Sequence, residues 1–108
     1  MATYNTDLSK TFAALSDPTR LAVVEQLVNG PASVSELWAP FDMARPSFLK
    51  HLRVLEDADL VSSSKEGRVR TVTLRVSALT RVDEWVRLHR QQVEARLDRL
   101  GKFLEEEH

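Results

Sequence analysis

Residues 43–60 of the chain read MARPSFLKHLRVLEDADL and contain the clearest helical pattern in the sequence. Phe48, Leu52 and Leu55 recur at the i, i+4, i+7 spacing that places side chains on one face of an α-helix. Basic residues crowd the first half of this stretch, and acidic residues crowd the second half. We therefore predict a helix over 45–58 that packs its apolar face on a core and presents a basic N-terminal end.

Two more helices are predicted toward the N terminus. The first contains Leu8 and Phe12 at helical spacing, and the second starts at Asp17 and Pro18. Asp is a favourable N-cap residue, and Pro suits the first turn because the N–H that it lacks would be unpaired there in any case. The predicted apolar face of the second helix consists of Leu21, Val24 and Val28, with Val23 and Leu27 beside it.

The opening stretch is predicted to lie between a short helix and a β-hairpin. Residues 33–36, SVSE, have the spacing of a capping box, which starts the short helix. Residues 60–64 and 68–76 have the pattern of strands, and a glycine-containing turn at 65–67 joins them. A short helix, a turn, a basic-fronted helix and a hairpin make a winged helix-turn-helix.

A long helix is predicted at the C-terminal end, where helix-forming residues continue without proline. It would be about 43 Å long at the rise of an α-helix, too long for a domain of this size to cover. Its apolar residues form a coiled-coil-like C-terminal seam of Leu79, Val82, Val86, Val93, Leu97, Leu100 and Leu104. The seam predicts packing against a partner chain, and the alternative is a helix that lies along its own domain.

Length and composition predict one ordinary globular domain over 1–108, since 43% of the 108 residues are hydrophobic and 29% are charged. The fold class is mostly α with a small β-hairpin, in the order α-α-α-α-β-β-α. We expect the helix-turn-helix at about 33–58, the wing at about 60–76 and the C-terminal helix at about 78–106.

Several classes of protein are disfavoured by what the sequence lacks. It has no cysteine, no apolar run long enough for a membrane helix and no signal-peptide pattern, so we expect no membrane partner and a cytoplasmic location. It also has no phosphate-cradling glycine loop and no nucleophile–base pattern. We therefore expect no catalytic residue and no enzyme activity.

The net charge of −1 hides an uneven distribution along the chain. Residues 1–42 carry a net charge of −3, residues 43–75 carry +3, and residues 76–108 carry −1. A polyanionic partner would be met by the middle third rather than by the whole surface. The alternative is an ordinary solvated charged surface.

Four stretches resemble motifs of the ArsR-type family of bacterial winged-helix repressors. LSDPTRL at 15–21 resembles the start of the family's second helix, RPSFLKHL at 45–52 and VLEDADLV at 54–61 resemble its recognition-helix signature, and EGRVR at 66–70 resembles its wing. The chain differs at Ala44, Leu49 and Asp59, where the family often has serine, a small polar residue and glycine. We expect Asp59 to adopt the left-handed conformation at some energetic cost.

The resemblance implies a homodimer that binds double-stranded operator DNA and represses transcription. The dimer would pair through the first and last helices, the 45–58 helix would enter the major groove, and the wing would reach the backbone or minor groove. The interface residues are then Leu8, Phe12, Leu79, Val82, Val86, His89, Val93, Leu97 and Leu100. The alternative is a protein-interaction module of the same fold that does not bind DNA.

The predicted DNA-binding residues are Arg45, Ser47, Lys50, His51, Arg53, Lys65, Arg68 and Arg70. Arg45 and Lys50 can donate to guanine edges or to phosphates. His51 would either pack or donate to a phosphate, and Arg53 has an alternative partner in Asp57 at i, i+4. The wing cations have an alternative role as a charged edge that prevents sheet aggregation.

No metal and no cofactor are expected. The thiolate pair that metal-sensing family members carry would fall at 37–39, where there is no cysteine. A zinc site on the last helix needs an Asp-x-His pair, but Asp83 is followed by Glu84 and Trp85, and His89 stands alone.

Four residues keep more than one interpretation. Arg20 would bind either a phosphate or a nearby acid. His89 takes an apolar position of the seam and is either a satisfied interface histidine or a proton switch, since an ordinary histidine titrates near pH ~6.5. Trp38 and Trp85 are core or interface aromatics, and the alternative is a pocket between them for an unidentified small-molecule effector.

Overall fold

The structure, a computed structural model, describes the backbone of residues 2–106 and the side chains of residues 7–106. Within this part of the chain, the elements are α1 Ala2–Leu15, α2 Pro18–Leu27, β1 Ala32–Ser33, α3 Val34–Trp38, α4 Arg45–Asp57, β2 Val61–Glu66, β3 Val69–Leu74 and α5 Val76–Glu106. The predicted mostly α, winged helix-turn-helix class is confirmed.

The small sheet contains one strand more than the predicted hairpin. Its order is β1-β3-β2, and both pairs are antiparallel. Ala32 pairs with Val72 and Ser33 with Thr71, so β1 is defined by pairing across the sheet. A strand of two residues is too short to show the alternation of apolar and polar residues by which strands are recognised in a sequence.

The hairpin turn is shorter than the sequence predicted. Glu66 lies opposite Val69, which leaves Gly67 and Arg68 as the two turn residues instead of 65–67. Gly67 has a φ of +60°, in the left-handed region. Glycine at the first position of a two-residue loop suits a type II′ turn, whose twist matches that of the flanking strands.

The core is built around α4. Its predicted apolar face of Phe48, Leu52 and Leu55 is buried, as expected from the spacing. The predicted face of α2 is wrong in part, because Leu21 and Val28 are exposed. The residues of α2 that are buried are Val23, Val24 and Leu27. These three residues form a stripe that is displaced by about one residue from the predicted stripe. The observed stripe faces α1, α4 and β3.

The helix ends follow the predicted capping chemistry. Asp17 accepts hydrogen bonds from the N–H groups of Thr19 and Arg20 at 2.9 and 3.1 Å. Ser33 and Glu36 form the reciprocal pair of a capping box at the start of α3. Asp59 has the expected left-handed conformation, with a φ of 57°.

The C-terminal helix α5 projects from the domain. It starts at Val76 and is roughly 46 Å long at the rise of an α-helix. Only its first turns pack on the domain, where Ala78 is buried and Leu79 is half-buried. The longest dimension of the described chain is 71 Å for this reason. No helix among residues 2–106 has the length and hydropathy to cross a membrane.

Candidate nucleic-acid interface

The N-terminal half of α4 offers exposed donors to solvent. Arg45, Ser47 and Lys50 are all exposed, whereas Phe48 between them is buried. In the described part of the chain, neither Arg45 nor Lys50 forms an ion pair. The cations are therefore free to meet an anionic partner, and the apolar face of the same helix fixes their direction.

The structure brings the start of α4 and the wing together around one cleft. This basic cleft has a volume of about 240 Å³, and its polar lining residues are Arg45, Arg68, Arg70, Ser33 and Ser35. Arg45 comes from α4, and the other two arginines come from the wing. Ser33 is the last residue of β1, and Ser35 lies in the first turn of α3. Three guanidinium groups at one concave surface make a strong local positive potential.

The wing concentrates positive charge further. Lys65 lies directly opposite Arg70 across the β2–β3 pair. Like charges in directly opposed positions destabilise a hairpin, and the Glu56 carboxylate beside Arg70 offsets part of this repulsion. Arg68 adds a third cation at the turn.

Arg70 also braces the wing against α4. Its Nε donates to Ser63 Oγ at 3.1 Å, and one of its terminal nitrogens lies 3.7 Å from Glu56 Oε1. The Ser63 hydroxyl in turn donates to Glu56 at 3.2 Å. Part of the hydrogen-bonding capacity of Arg70 is therefore used inside the protein, unlike that of Arg45 and Lys50.

His51 is engaged within the fold, in an arrangement that connects three helices. Its Nδ1 lies 3.1 Å from Nη1 of Arg20 and 3.7 Å from a carboxylate oxygen of Asp17. Arginine can only donate, so Nδ1 accepts and the ring proton is on Nε2. Arg20 also donates from Nε to the carbonyl oxygen of Ala14 at 2.7 Å. Arg20 thus ties the end of α1 and the start of α2 to the middle of α4.

Asp17→Ala is expected to lower the free energy of unfolding by about 1 kcal/mol near neutral pH, because two backbone N–H groups lose their acceptor. The pKa of Asp17 is below its usual value of 3.8, mainly because its carboxylate accepts a hydrogen bond from the backbone N–H of Arg20. Because this pKa is lower in the folded chain, the stabilisation is complete above about pH 4 and is lost as the pH falls through the folded value.

Urea denaturation at a series of pH values measures this effect. The difference in stability between the wild type and Asp17→Ala should shrink as the pH falls below the usual pKa of 3.8. Asp17→Asn is the matched control, since it keeps an acceptor for the cap and removes the titrating group. A difference that stays constant over the whole pH range would contradict the assignment.

Arg53 lies in an open position on α4. It is exposed, and although Asp57 is also among the described residues, the two form no ion pair. The alternative i, i+4 pairing is therefore wrong in this structure. A DNA contact of Arg53 stays a prediction. Leu49, which differs from the family pattern, packs against the core.

The two tryptophans lie in separate environments. Trp38 donates from Nε1 to the carbonyl oxygen of Met43 at 2.8 Å. The guanidinium carbon of Arg45 lies 5.6 Å from the centre of the Trp38 ring. Trp85 packs edge-on against Phe12 at 5.7 Å and stacks on His89 at 4.2 Å between ring centres. The two rings thus make different contacts, and those of Trp38 join it to the start of α4.

The predicted interface residues are divided between the domain surface and the projecting part of α5. Leu8 is only 3% exposed and is already covered within the protomer, whereas Phe12 is 40% exposed. Leu79, Val82 and His89 are half-buried. The remaining residues of the predicted interface are exposed: Val86, Val93, Leu97 and Leu100.

The sequence analysis named Trp85 as a core or interface aromatic but omitted Phe103, and both residues lie beside the C-terminal seam. Trp85 and Phe103 are both exposed. They are 18 residues apart, which is five helical turns, so they lie on the same flank of α5. This spacing was visible in the sequence and would have widened the predicted interface.

His89 donates from Nδ1 to the carbonyl oxygen of Trp85 at 2.7 Å, so its Nε2 is directed away from that bond.

The part of the chain that the structure describes contains no group of three or more side chains that could hold a metal ion.

Comparison with known proteins gives the family. Residues 15–63 match a family model described as a helix-turn-helix domain. The HTH-type transcriptional regulator Rv2034 of Mycobacterium tuberculosis (strain ATCC 25618 / H37Rv) is 38% identical over 79 residues, which are 73% of this chain and 73% of that protein. The transcriptional repressor SdpR of Bacillus subtilis (strain 168) is 27% identical over 73% of this chain and 88% of that protein.

A solved structure agrees with both the sequence match and the fold. The crystal structure of the ArsR family transcriptional regulator RHA00566 is 46% identical, with a TM-score of 0.80. The match covers 83% of this chain and 93% of that one, so it extends beyond the helix-turn-helix into the wing and α5. With the predicted motifs in place on a winged helix-turn-helix, this chain belongs to the ArsR family of DNA-binding transcriptional regulators.

Proposed function

We propose that the chain is a homodimeric repressor that reads operator DNA with α4 in the major groove and the wing on the backbone or minor groove. The basic cleft is the observation that carries this proposal. It joins Arg45 of the helix to Arg68 and Arg70 of the wing, so a single DNA backbone passing the cleft would meet both elements.

The geometry of α4 suits a major groove. A groove about 12 Å wide admits one α-helix, and the exposed residues Arg45, Ser47 and Lys50 lie at the end that would enter it. Arg45 and Lys50 are the proposed contacts to bases or phosphates. Lys65 and Arg68 are proposed to bind phosphates, and the DNA would relieve the repulsion between Lys65 and Arg70 that Glu56 leaves uncompensated.

The second half of the proposal is a homodimer. The C-terminal seam is an apolar stripe that a monomer would leave in water, since Leu97 alone is 59% exposed. A second copy presents the same stripe and can cover it symmetrically. Phe12, Trp85 and Phe103 would extend this interface on its flank. Two copies of α4 on one rigid dimer would then address two half-sites.

The relative named a repressor supports negative regulation, and no catalytic role is proposed. The proposal also includes two expectations from the sequence analysis, which are a cytoplasmic location and an unidentified small-molecule effector.

Arg45→Ala and Lys50→Ala are each expected to weaken binding to operator DNA by about 10-fold or more, because each removes a charged contact from both half-sites. The probe is a fluorescein-labelled duplex that the wild-type protein selects from a random-sequence pool, and anisotropy titration gives the affinity. Each lost phosphate contact should also reduce the log–log salt slope by about 0.9 per half-site.

Lys102→Ala is the matched control, because it removes the same charge from the far end of α5. It should bind the duplex like the wild type, and all three variants should keep the dimer mass by light scattering. The proposal fails if the wild type selects no duplex at low salt, or if all three variants bind alike.

A further inference from the structure

We infer that Trp38 is a positioning residue that holds Arg45 in place for DNA, an inference that rests on the proposed function. The start of α4 needs such support. Its N-cap is Ala44, whose side chain has no polar atom to accept from the first N–H groups of the helix. The turn between α3 and α4 must therefore be fixed by other contacts if Arg45 is to have a defined position.

Trp38, the last residue of α3, makes two hydrogen bonds across this turn. Its Nε1–H donates to the carbonyl oxygen of Met43, the residue just before the N-cap, at 2.8 Å. Its own carbonyl oxygen accepts from the N–H of Phe41 at 2.9 Å. Trp38 thus stabilises both the chain that leaves α3 and the chain that leads into α4. The ring of Phe41 in turn packs on Phe48 of the core, with 5.6 Å between ring centres.

The indole ring also contacts Arg45 directly. The guanidinium carbon lies 5.6 Å from the ring centre, within the range of a cation–π interaction. Arg45 is otherwise exposed, so its side chain would sample many rotamers without the ring. Restricting the rotamers of Arg45 before binding lowers the conformational-entropy cost of DNA binding.

Trp38 further connects Arg45 to the wing. The capping box of α3 includes Ser33, which belongs to β1 and pairs with Thr71 of β3. The continuous path from β3 through β1 and α3 to Trp38 fixes Arg45 relative to Arg68 and Arg70. The three arginines line one cleft because of this path, and its last contact is the one between the indole ring and the guanidinium group.

A double-mutant cycle on the selected duplex tests the inference. Trp38→Leu, which keeps an apolar side chain, is expected to weaken binding about 3- to 10-fold, while Trp38→Leu in the Arg45→Ala background costs less than about 2-fold more. Trp38→Phe keeps a ring but loses the N–H, so it should fall between the wild type and Trp38→Leu. Thermal unfolding followed by circular dichroism checks that each variant is folded.

A second measurement needs no DNA. With Trp85→Phe as the background, Trp38 is the one remaining tryptophan, and its fluorescence reports the contact. Adding Arg45→Ala should increase quenching by acrylamide, because the guanidinium group no longer covers the ring. Lys50→Ala in the same background is the control and should leave the quenching unchanged.

The outcomes separate the two levels of the proposal. If Arg45→Ala binds the duplex like the wild type, the proposed role of Arg45 in DNA binding fails, and this inference fails with it. If Arg45→Ala weakens binding but Trp38→Leu costs as much with Arg45 as without it, Trp38 acts only through the fold, and this inference alone is overturned. Unchanged quenching in the Arg45→Ala variant would overturn the contact itself.

Discussion

The double substitution Val93→Asp and Leu97→Asp is expected to turn the dimer into a monomer and to weaken operator binding at least about 100-fold. Both residues lie in the exposed part of the C-terminal seam, beyond the point where α5 packs on its own domain. The proposed dimer would bury four carboxylates in an apolar interface, and each unpaired buried charge costs several kcal/mol. Monomers would then bind half-sites independently.

Light scattering at micromolar concentration measures the mass, and anisotropy with the selected duplex measures the affinity. The matched control is Gln91→Asp with Ala95→Asp, which adds the same charge to the opposite face of the same helix turns. That control should stay dimeric. The interface assignment is wrong if the wild type is a monomer, or if both double variants have the same mass.

Phe48→Ala is expected to lower the free energy of unfolding by about 3–5 kcal/mol, the typical loss for a buried phenylalanine. Phe48 is 0% exposed and is the largest fully buried side chain in the core. Its removal leaves a cavity between α4 and Phe41, whose ring is 5.6 Å away. Because natural domains are stable by only about 5–15 kcal/mol, the variant should be close to unfolding at growth temperature.

Urea denaturation gives the change in stability. Val54→Ala is the control on the same helix, since Val54 is on the exposed side and its truncation should cost less than about 1 kcal/mol. Equal losses for the two variants would mean that α4 is not anchored by its Phe48 face. DNA binding by the Phe48→Ala variant is expected to be lost in parallel with its structure.

The fold was predictable from the sequence where one signal dominated. The spacing of Phe48, Leu52 and Leu55 gave the buried face of α4 correctly, and Asp17 gave the start of α2. The apolar residues of α2 were ambiguous, because five of them lie around the helix and more than one stripe could be drawn. Burial of Val23 in place of Leu21 depends on where α1 and β3 lie, which local spacing does not contain.

The candidate site was predictable only as a set of residue types. The sequence named the cations of α4 and the wing, but their convergence on one cleft depends on the pairing of β1 with β3, a two-residue strand without a sequence pattern. His51 was proposed for DNA and is engaged with Arg20, from 31 positions away in the chain. Contacts over such separations depend on tertiary structure and cannot be inferred from spacing.

Because half of α5 projects from the domain, repression would depend on the concentration of the protein itself. Within the part of the chain that the structure describes, the second half of that helix is exposed to solvent. The dimer would therefore gain stability in proportion to the logarithm of protomer concentration. Below the dimer dissociation constant, the population able to address two half-sites would fall with the square of the protomer concentration. A repressor built in this way would respond to its own abundance with a threshold, so that a modest decline in synthesis would release the promoter more sharply than a monomeric repressor could.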